Sequence, residues 1–225
     1  FKNAFSSDPI SAFGGVISCN FKIDKKIATE INKNFLEVIL AKGFENEALQ
    51  ILKRKKNLRI IDISKYKQKN QITAKLYDGS FLLQDKDASI FNRKNLKFVT
   101  KRKPSKNEVN ELLFAFNICK YVKSNAIVLT NNFSTIGVGA GQSSRLDSCR
   151  IAVQKAKKFQ PKKINGSIAA SDAFFPFVDG IKTLISAGVK IIIQPGGSVR
   201  DKEVIDEANK SNIKMVFTGV RHFNH

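Results

Sequence analysis

Short apolar runs alternate with amphipathic segments along most of this 225-residue sequence. The runs at residues 36–40, 126–130 and 190–194 have the length and composition of buried strands. Segments at residues 46–55 and 202–210 instead carry apolar residues at helical spacing. Because helices and strands that alternate along a chain pack as layers, the pattern predicts an α/β fold.

The predicted elements cover both halves of the chain. Further strands are predicted at residues 12–19, 58–62, 134–140 and 214–218, and further helices at residues 22–34, 146–157 and 179–187. Asp78-Gly79 is the favoured two-residue turn of a β-hairpin, here between residues 72–77 and 81–84. Ser105 and Glu108 have the spacing of a capping box, which predicts the start of another helix.

A charged stretch at residues 85–106 is the predicted linker between two units. We assign residues 1–95 to the remainder of a first α/β unit and residues 96–225 to a second unit with most of the candidate site. Residues 7–14 are similar to residues 171–175, and each segment is predicted to precede a helix and then a strand. Duplication and coincidence both explain this similarity.

The charge of the chain is strongly positive. It has 39 Lys and Arg residues against 19 Asp and Glu residues, a formal net charge of +20. The basic clusters are scattered, at residues 53–56, 101–103, 155–158 and 162–163, which favours a solvated charged surface over a binding stripe. General attraction of anions and nucleic-acid binding remain as alternative interpretations.

Three cysteines, Cys19, Cys119 and Cys149, lie far apart and form neither a disulfide framework nor a metal-ligand spacing, which predicts a reducing cytoplasm and no zinc site. No apolar run approaches the roughly 18 residues of a membrane-spanning helix, so we expect no membrane partner. The sequence starts at Phe1 without an initiator Met, and we interpret it as part of a longer protein.

Residues 170–179 are the first candidate for a binding site. They combine three phenylalanines, a proline and two aspartates, which suits neither an amphipathic helix nor an alternating strand. Aromatic walls edged by carboxylates are typical of a pocket for a flat heterocycle. Arg221 and His225 lie four residues apart in the C-terminal segment, and an arginine there suits bidentate recognition of a phosphate or carboxylate.

Two glycine-rich segments follow predicted strands and precede predicted helices. Residues 137–145 fit neither the dinucleotide fingerprint nor a Walker A loop, so anion binding and a plain tight turn are both open. Residues 194–201 are favoured as a structural turn over a phosphate site, with Ser198 or Asp201 as the helix N-cap. Asn125, at a strand start, is either a turn residue or a group that orients a neutral carbonyl.

Taken together, these motifs resemble one family. Residues 8–17, 123–126, 137–145, 170–177, 194–201 and 217–225 occur in the order found in AICAR transformylase, the formyltransferase part of a bifunctional purine-biosynthesis enzyme whose other part is IMP cyclohydrolase. The resemblance covers essentially the whole chain. It implies two cytidine-deaminase-like α/β units with mixed sheets flanked by helices and without the deaminase zinc.

The resemblance also implies a reaction and roles for particular residues. The formyl group of 10-formyltetrahydrofolate, the co-substrate, moves to the 5-amino group of AICAR and gives FAICAR, an intermediate in IMP biosynthesis. By resemblance, Asn125 and His225 are catalytic residues, near the formyl group and in support of the site. By the same resemblance, the substrate-binding residues are Arg145, Phe174, Phe177, Asp179 and Arg221.

The resemblance places the Lys-His catalytic pair of the family upstream of Asp8, so we expect this chain to be inactive alone. It further implies a homodimer whose sites are shared between protomers, with AICAR and reduced folate as ligands and no specific nucleic acid. A basic nucleic-acid-binding module without catalysis and a different enzyme for phosphoribosyl ligands are the alternatives.

Overall fold

A sheet between two layers of helices forms the larger of two units in the computed structural model, which describes residues 1–67, 72–87, 91, 93–222 and 224. The larger unit comprises Lys2–Asp8 and Ser89–His225, and the smaller one Phe1 and Pro9–Ala88. The helices are α1 (Lys2–Phe5), α2 (Lys25–Asn32), α3 (Asn46–Leu52), α4 (Lys106–Cys119), α5 (Arg145–Phe159), α6 (Val178–Ser186) and α7 (Asp201–Lys210). The strands are β1 (Gly15–Cys19), β2 (Leu36–Ala41), β3 (Arg59–Asp62), β4 (Ile72–Tyr77), β5 (Ser80–Asp85), β6 (Lys97–Phe98), β7 (Ile127–Asn131), β8 (Ser134–Gly139), β9 (Ile168–Ser171), β10 (Ile191–Gln194) and β11 (Lys214–Phe217).

The smaller unit is built from alternating strands and helices. Strands β1, β2 and β3 form a parallel sheet in sequential order, and α2 and α3 connect them. Its core includes Ile23, Ile31, Ile39 and Leu52, which are almost completely buried. Strands β4 and β5 form the hairpin predicted from Asp78-Gly79.

The larger unit has a mixed sheet with the strand order β6-β11-β10-β9-β7-β8 in the described part of the chain. Strands β9, β10 and β11 are parallel, whereas β7 is antiparallel to both β8 and β9, and β6 is antiparallel to β11. The α/β fold class predicted from the alternating pattern is therefore confirmed.

Both faces of this sheet are covered, which explains why its strands are apolar at consecutive positions. On one face Ile192 and Met215 belong to a core shared with residues of α5, α6 and α7. On the other face Ile191, Ile193 and Val216 belong to a core shared with α4. The result is a three-layer arrangement of helices, sheet and helices.

The sheet brings several loops to one edge. Because β7 is antiparallel to both β8 and β9, these two strands run in the same direction. Strands β10 and β11 are parallel to β9 and therefore also run in this direction. The carboxyl ends of β8 to β11 therefore lie at the same edge, together with the start of β7. Helices α5 and α6 begin at this edge, since they follow β8 and β9.

The boundary between the two units falls within residues 85–106, the stretch predicted as a linker. Part of this stretch also belongs to the larger unit, because β6 pairs with β11 and Phe91 and Leu96 are buried there. Two features differ from the sequence analysis. Residues 7–14 lead directly into β1, whereas residues 171–175 precede α6 and then β10, so the two segments are not equivalent. The central strand β9 was missed, because Ile-Ala-Ala-Ser is short and alanine has little preference for strands.

The capping box at the start of α4 is present as predicted. Ser105 Oγ accepts a hydrogen bond from the backbone N–H of Glu108, and the Glu108 carboxylate accepts one from the backbone N–H of Ser105. Lys214 also donates to both carboxylate oxygens of Glu108, at 2.6 and 2.8 Å. Although partial burial raises the pKa of Glu108, the hydrogen bonds from Lys214 and Ser105 outweigh it and hold the pKa below its ordinary value.

None of the described helices is both long and apolar enough to cross a membrane.

A Glu108→Gln substitution should lower the free energy of unfolding by about 1–2 kcal/mol at pH 7, since it removes the charge that Lys214 pairs with. A carboxyl whose pKa is lowered by folding stabilises the protein above its unfolded pKa and loses this effect as pH falls through the folded pKa. The difference between the two proteins should therefore shrink between about pH 5 and pH 3. Urea unfolding followed by circular dichroism measures it.

The matched control is Glu203→Gln on α7. The Glu203 side chain is 58% exposed and lies 3.7 Å from Arg200, so its loss should change stability by less than about 0.5 kcal/mol. An equal loss of stability from Glu108→Gln at pH 7 and pH 3 would contradict the role assigned to the ion pair.

Candidate functional site

A pocket of about 460 Å³ lies at the edge of the larger sheet where β8 and β9 end and α5 and α6 begin. This volume is within the range of small-molecule sites. Residues from four segments of the chain line it: Asn125, Ser143, Ser144, Arg145, Leu146, Ala173, Phe174, Phe175, Pro176, Phe177, Asp179, Gly180 and Arg221.

The predicted site residues meet in this pocket although they are far apart in sequence. Six of the seven line it: Asn125, Arg145, Phe174, Phe177, Asp179 and Arg221. The seventh, His225, lies outside the described residues. The roles assigned to the seven residues stay predictions.

The aromatic wall comes from the segment between β9 and α6. Phe175 is 1% exposed and anchors this segment, and its backbone N–H donates to Oε1 of the buried Gln194 at 3.0 Å. Phe174 is half-buried and Phe177 is 50% exposed, so both present ring surface near the opening. The guanidinium of Arg200 lies 4.8 Å from the centre of the Phe177 ring, which adds a cation to the outer side of this wall.

Two helices begin at the pocket. Helix α5 follows Ser144 and helix α6 follows Phe177, and neither N-cap residue makes a side-chain capping hydrogen bond. The first backbone N–H groups of a helix carry partial positive charge and attract anions. The exposed Arg221 lines the same pocket, as does the carboxylate of Asp179 in the first turn of α6.

The guanidinium of Arg145 is buried and held by hydrogen bonds within the protein. Its Nη1 donates to Asp172 Oδ1 at 2.5 Å and to Ser171 Oγ at 2.8 Å, and its Nη2 donates to Asn125 Oδ1 at 2.7 Å. The Arg145 side chain is 8% exposed, so little of it faces a ligand. Arg145 therefore shapes the pocket wall more than it offers a free charge.

The amide of Asn125 is likewise fixed. Its Nδ2 donates to the backbone carbonyls of Gln142 at 2.8 Å and Ser143 at 3.1 Å. The carbonyl of Asn125 accepts a hydrogen bond from Ser148 Oγ at 2.8 Å. These bonds join the start of β7 to the segment before α5.

Sequence reasoning did not assign a role to Asp172. This aspartate directly follows β9 and is 1% exposed. An aspartate immediately after a strand of small residues was the available signal, but its burial depends on three segments that are distant in sequence.

The C-terminal segment is docked on the larger unit. The backbone N–H of His222 donates to the carbonyl of Asp172 at 2.9 Å, and that of Ser124 donates to the carbonyl of Asn224 at 2.8 Å. The buried His222 ring packs against Phe116 and Phe91, at centroid distances of 4.6 and 5.3 Å. Arg221 is held at the pocket by this anchoring of its neighbour.

Two glycines of the segment at residues 137–145 serve packing. Gly137 and Gly139 lie in β8, where an added Cβ atom would come within 2.2 Å of the Ala152 carbonyl oxygen and 1.9 Å of the Ser148 carbonyl oxygen. Helix α5 therefore lies directly on the backbone of β8. Of this segment, Ser143, Ser144 and Arg145 reach the pocket.

The segment at residues 194–201 is a turn, as favoured from the sequence, and does not line the pocket. Gly196 has φ of +72°, and an added Cβ atom would lie 2.3 Å from the Phe217 ring. The N-cap of α7 is Arg200, not Ser198 or Asp201 as predicted. Those two side chains instead accept hydrogen bonds within the loop, from the backbone N–H groups of Arg200 and Gly197.

Cys149 lies in the core next to the pocket wall. Burial raises its pKa to about 12, with the nearby Arg145 lowering it and Asp179 raising it by smaller amounts. A thiol in this environment stays protonated at neutral pH and is not a nucleophile.

The larger unit is thus a three-layer α/β unit with an aromatic pocket flanked by arginines. The sequence model of the AICARFT/IMPCHase bienzyme family matches residues 1–155. The chain belongs to this family.

Curated relatives are similar over the whole chain. It is 45% identical over 226 residues to the bifunctional purine biosynthesis protein PurH of Leptospira biflexa, with 100% of this chain and 44% of that protein covered. It is 45% identical over 225 residues to the bifunctional purine biosynthesis protein PurH of Aquifex aeolicus, with 100% of this chain and 44% of that protein covered. It is also 45% identical over 225 residues to the PurH protein of Acetivibrio thermocellus, with 99% of this chain and 43% of that protein covered. The chain spans less than half the length of these relatives.

Replacing Gly139 by Ala should destabilise the larger unit by about 3 kcal/mol, because the new methyl group collides with the backbone of α5. The control is Gly166→Ala, where an added Cβ atom meets nothing within 4 Å and φ of +82° is the expected source of strain. That control should cost about 1–2 kcal/mol. Chemical unfolding measures both, and equal losses would show that close packing of α5 on β8 is unimportant.

Proposed function

We propose that this chain is part of a folate-dependent formyltransferase that uses 10-formyltetrahydrofolate and AICAR to form FAICAR in purine biosynthesis, within a protein that also has IMP cyclohydrolase activity. Membership of the bienzyme family and the names of the relatives support this proposal. The observation that carries it is the meeting of Asn125, Arg145, Phe174, Phe177, Asp179 and Arg221 in one pocket.

The pocket has the chemistry that AICAR requires. The exposed faces of Phe174 and Phe177 can pack against a flat aminoimidazole ring. Arg221 and the first turns of α5 and α6 can bind the phosphate, because they combine a guanidinium with the backbone N–H groups of two helix starts. The carboxylate of Asp179 can accept a hydrogen bond from an amine or from a ring N–H.

In the reaction a C–N bond forms between the AICAR amine and the formyl carbon, and the bond from that carbon to N10 of the folate breaks. The amine loses a proton and N10 gains one. The exocyclic amine is a poor nucleophile, so the reaction needs a proton acceptor and stabilisation of the tetrahedral oxyanion. In our proposal Asn125 lies near the formyl group, and the Lys-His pair expected upstream of Asp8 moves the proton.

The same proposal includes a homodimer whose protomers share sites, a cytoplasmic location, and cytidine-deaminase-like units without zinc. The parallel succession β1-α2-β2-α3-β3 of the smaller unit has the same order and strand pairing as β9-α6-β10-α7-β11 of the larger unit. This likeness supports two related units. The division into residues 1–95 and 96–225 stays a prediction.

Nucleic-acid binding is not favoured. Most Lys and Arg side chains of the basic clusters at residues 53–56, 101–103, 155–158 and 162–163 are exposed, but the clusters are scattered along the chain. We expect weak, non-specific binding to duplex DNA that is lost between about 50 and 200 mM salt, as counterion release predicts. Sequence-selective binding that persists at high salt would favour the nucleic-acid alternative.

The direct test is formation of FAICAR by the full-length protein with AICAR and 10-formyltetrahydrofolate. Arg221→Ala should lower kcat/KM about 10- to 100-fold, the loss expected for a charge-assisted hydrogen bond of about 1.5–3 kcal/mol. Phe177→Ala should weaken AICAR binding about 10-fold, since it removes a stacking surface. Absence of formyl transfer in the native protein would refute the proposed function.

Each variant has a matched control in the larger unit. Arg150 is 63% exposed on α5, pairs with Asp147 and does not line the pocket. Phe133 is 52% exposed and packs against Phe114, away from the pocket residues. Arg150→Ala and Phe133→Ala should therefore leave kcat/KM within about twofold of the native value.

Deletion of His225 tests the role assigned to the last residue. Formyl transfer should fall about tenfold or more, the effect of losing a supporting hydrogen bond of about 1.4 kcal/mol. Cyclohydrolase activity measured on the same preparation should be unchanged. Full formyl transfer after the deletion would remove His225 from the site.

A further inference from the structure

The buried carboxylate of Asp172 connects to the pocket without lining it. Its Oδ1 accepts hydrogen bonds from Arg145 Nη1 at 2.5 Å and from the backbone N–H of Ala126 at 3.1 Å. Its Oδ2 accepts one from the hydroxyl of Ser124. A carboxylate buried in this way is tolerated because a paired cation and several donors replace its hydration.

The Arg145 guanidinium, which Asp172 holds in place, in turn hydrogen-bonds to the side chain of Asn125. Arg145 Nη2 donates to Asn125 Oδ1, while Asn125 Nδ2 donates to the carbonyls of Gln142 and Ser143. A guanidinium can only donate and a backbone carbonyl can only accept. The amide of Asn125 therefore has a single favourable orientation, which the two carbonyls fix at its NH2 group and Arg145 fixes at its oxygen.

Asp172 also connects the backbone segments that surround Asn125. Its backbone N–H donates to the carbonyl of Ala126 at 3.3 Å, and its carbonyl accepts from the backbone N–H of His222 at 2.9 Å. The start of β7, the first residue of α5 and the C-terminal segment thus share one buried residue as their common partner.

We propose that Asp172 is a positioning residue for formyl transfer, which holds Arg145 so that Arg145 fixes the orientation of the Asn125 amide at the pocket wall. This inference rests on the proposed function, in which Asn125 lies near the formyl group. Asp172 acts on the reaction through Arg145 and Asn125 and does not itself contact the substrate.

The informative variant is Asp172→Asn in the full-length protein. The amide has nearly the size of the carboxylate and retains one oxygen acceptor, but it lacks the negative charge that holds the Arg145 guanidinium. We expect kcat for formyl transfer to fall about 100-fold, the scale of a misplaced catalytic group. KM for AICAR should change by less than about threefold, because the ring and phosphate contacts are made by other residues.

A second substitution separates positioning from general stability. If Asp172 acts through Asn125, then Asp172→Asn should lower kcat by less than about threefold in an Asn125→Ala background, since the group being positioned is already absent. An equal, about 100-fold fall in both backgrounds would overturn the proposal. The melting temperature should drop on Asp172→Asn in either background, because Arg145 loses its ion-pair partner in both.

Glu108→Gln is the matched control. It also converts a carboxylate in an ion pair of the larger unit to an amide, but its partner Lys214 is the first residue of β11, at the sheet edge opposite the pocket. This control should lower the melting temperature and leave kcat within about twofold of the native value. A comparable loss of kcat in the control would show that stability alone explains the effect.

A crystal structure of the Asp172→Asn variant reads the position of Asn125 independently of any assay. The proposal requires that the hydrogen bond from Arg145 Nη2 to Asn125 Oδ1 be lost and that the Asn125 amide move, and an unmoved amide would overturn it. An inactive native protein would instead refute the proposed formyl transfer, so the two failures are distinguishable.

Discussion

The buried ion pair between Asp172 and Arg145 is the interaction on which the geometry of the pocket depends. A carboxylate and a guanidinium that are 1% and 8% exposed must remain together, because separating them would leave an unpaired charge in the protein interior. The pair joins the end of β9 to the first residue of α5, and its hydrogen bonds reach the start of β7. Pocket residues on separate segments are thereby held in one arrangement.

Close packing brings the positive ends of two helices to this pair. Helix α5 approaches β8 closely because Gly137 and Gly139 have no side chains to separate them. Helix α6 starts after a segment anchored by Phe175 and Gln194. The parallel strands then place both helix starts at the same edge, so that backbone N–H groups of two helices lie at the pocket. An aromatic wall beside these groups suits a ligand with a flat ring and a phosphate.

The sequence predicted much of this architecture. Consecutive apolar residues in β10 and the capping box of Ser105 and Glu108 depend on local patterns, and both are present. Strand β9 was missed because alanine has little intrinsic preference for strands, and burial of all four residues of β9 in the sheet is what favours the strand here. Six predicted site residues line one pocket, whereas Asp172 was given no role because its burial depends on segments that are distant in the sequence.

By itself, the sequence determined the α/β class, most helix and strand positions, and the residues with the chemistry of an aromatic, arginine-flanked site. These features depend on periodicity, capping and side-chain type, which act over a few neighbouring residues. Only the tertiary structure decided that Arg145 forms a buried ion pair with Asp172, and that Gly137 and Gly139 allow α5 to pack directly on β8. Both outcomes depend on contacts between segments that are distant in the chain, and such contacts decide which charges are buried and which remain available to a ligand.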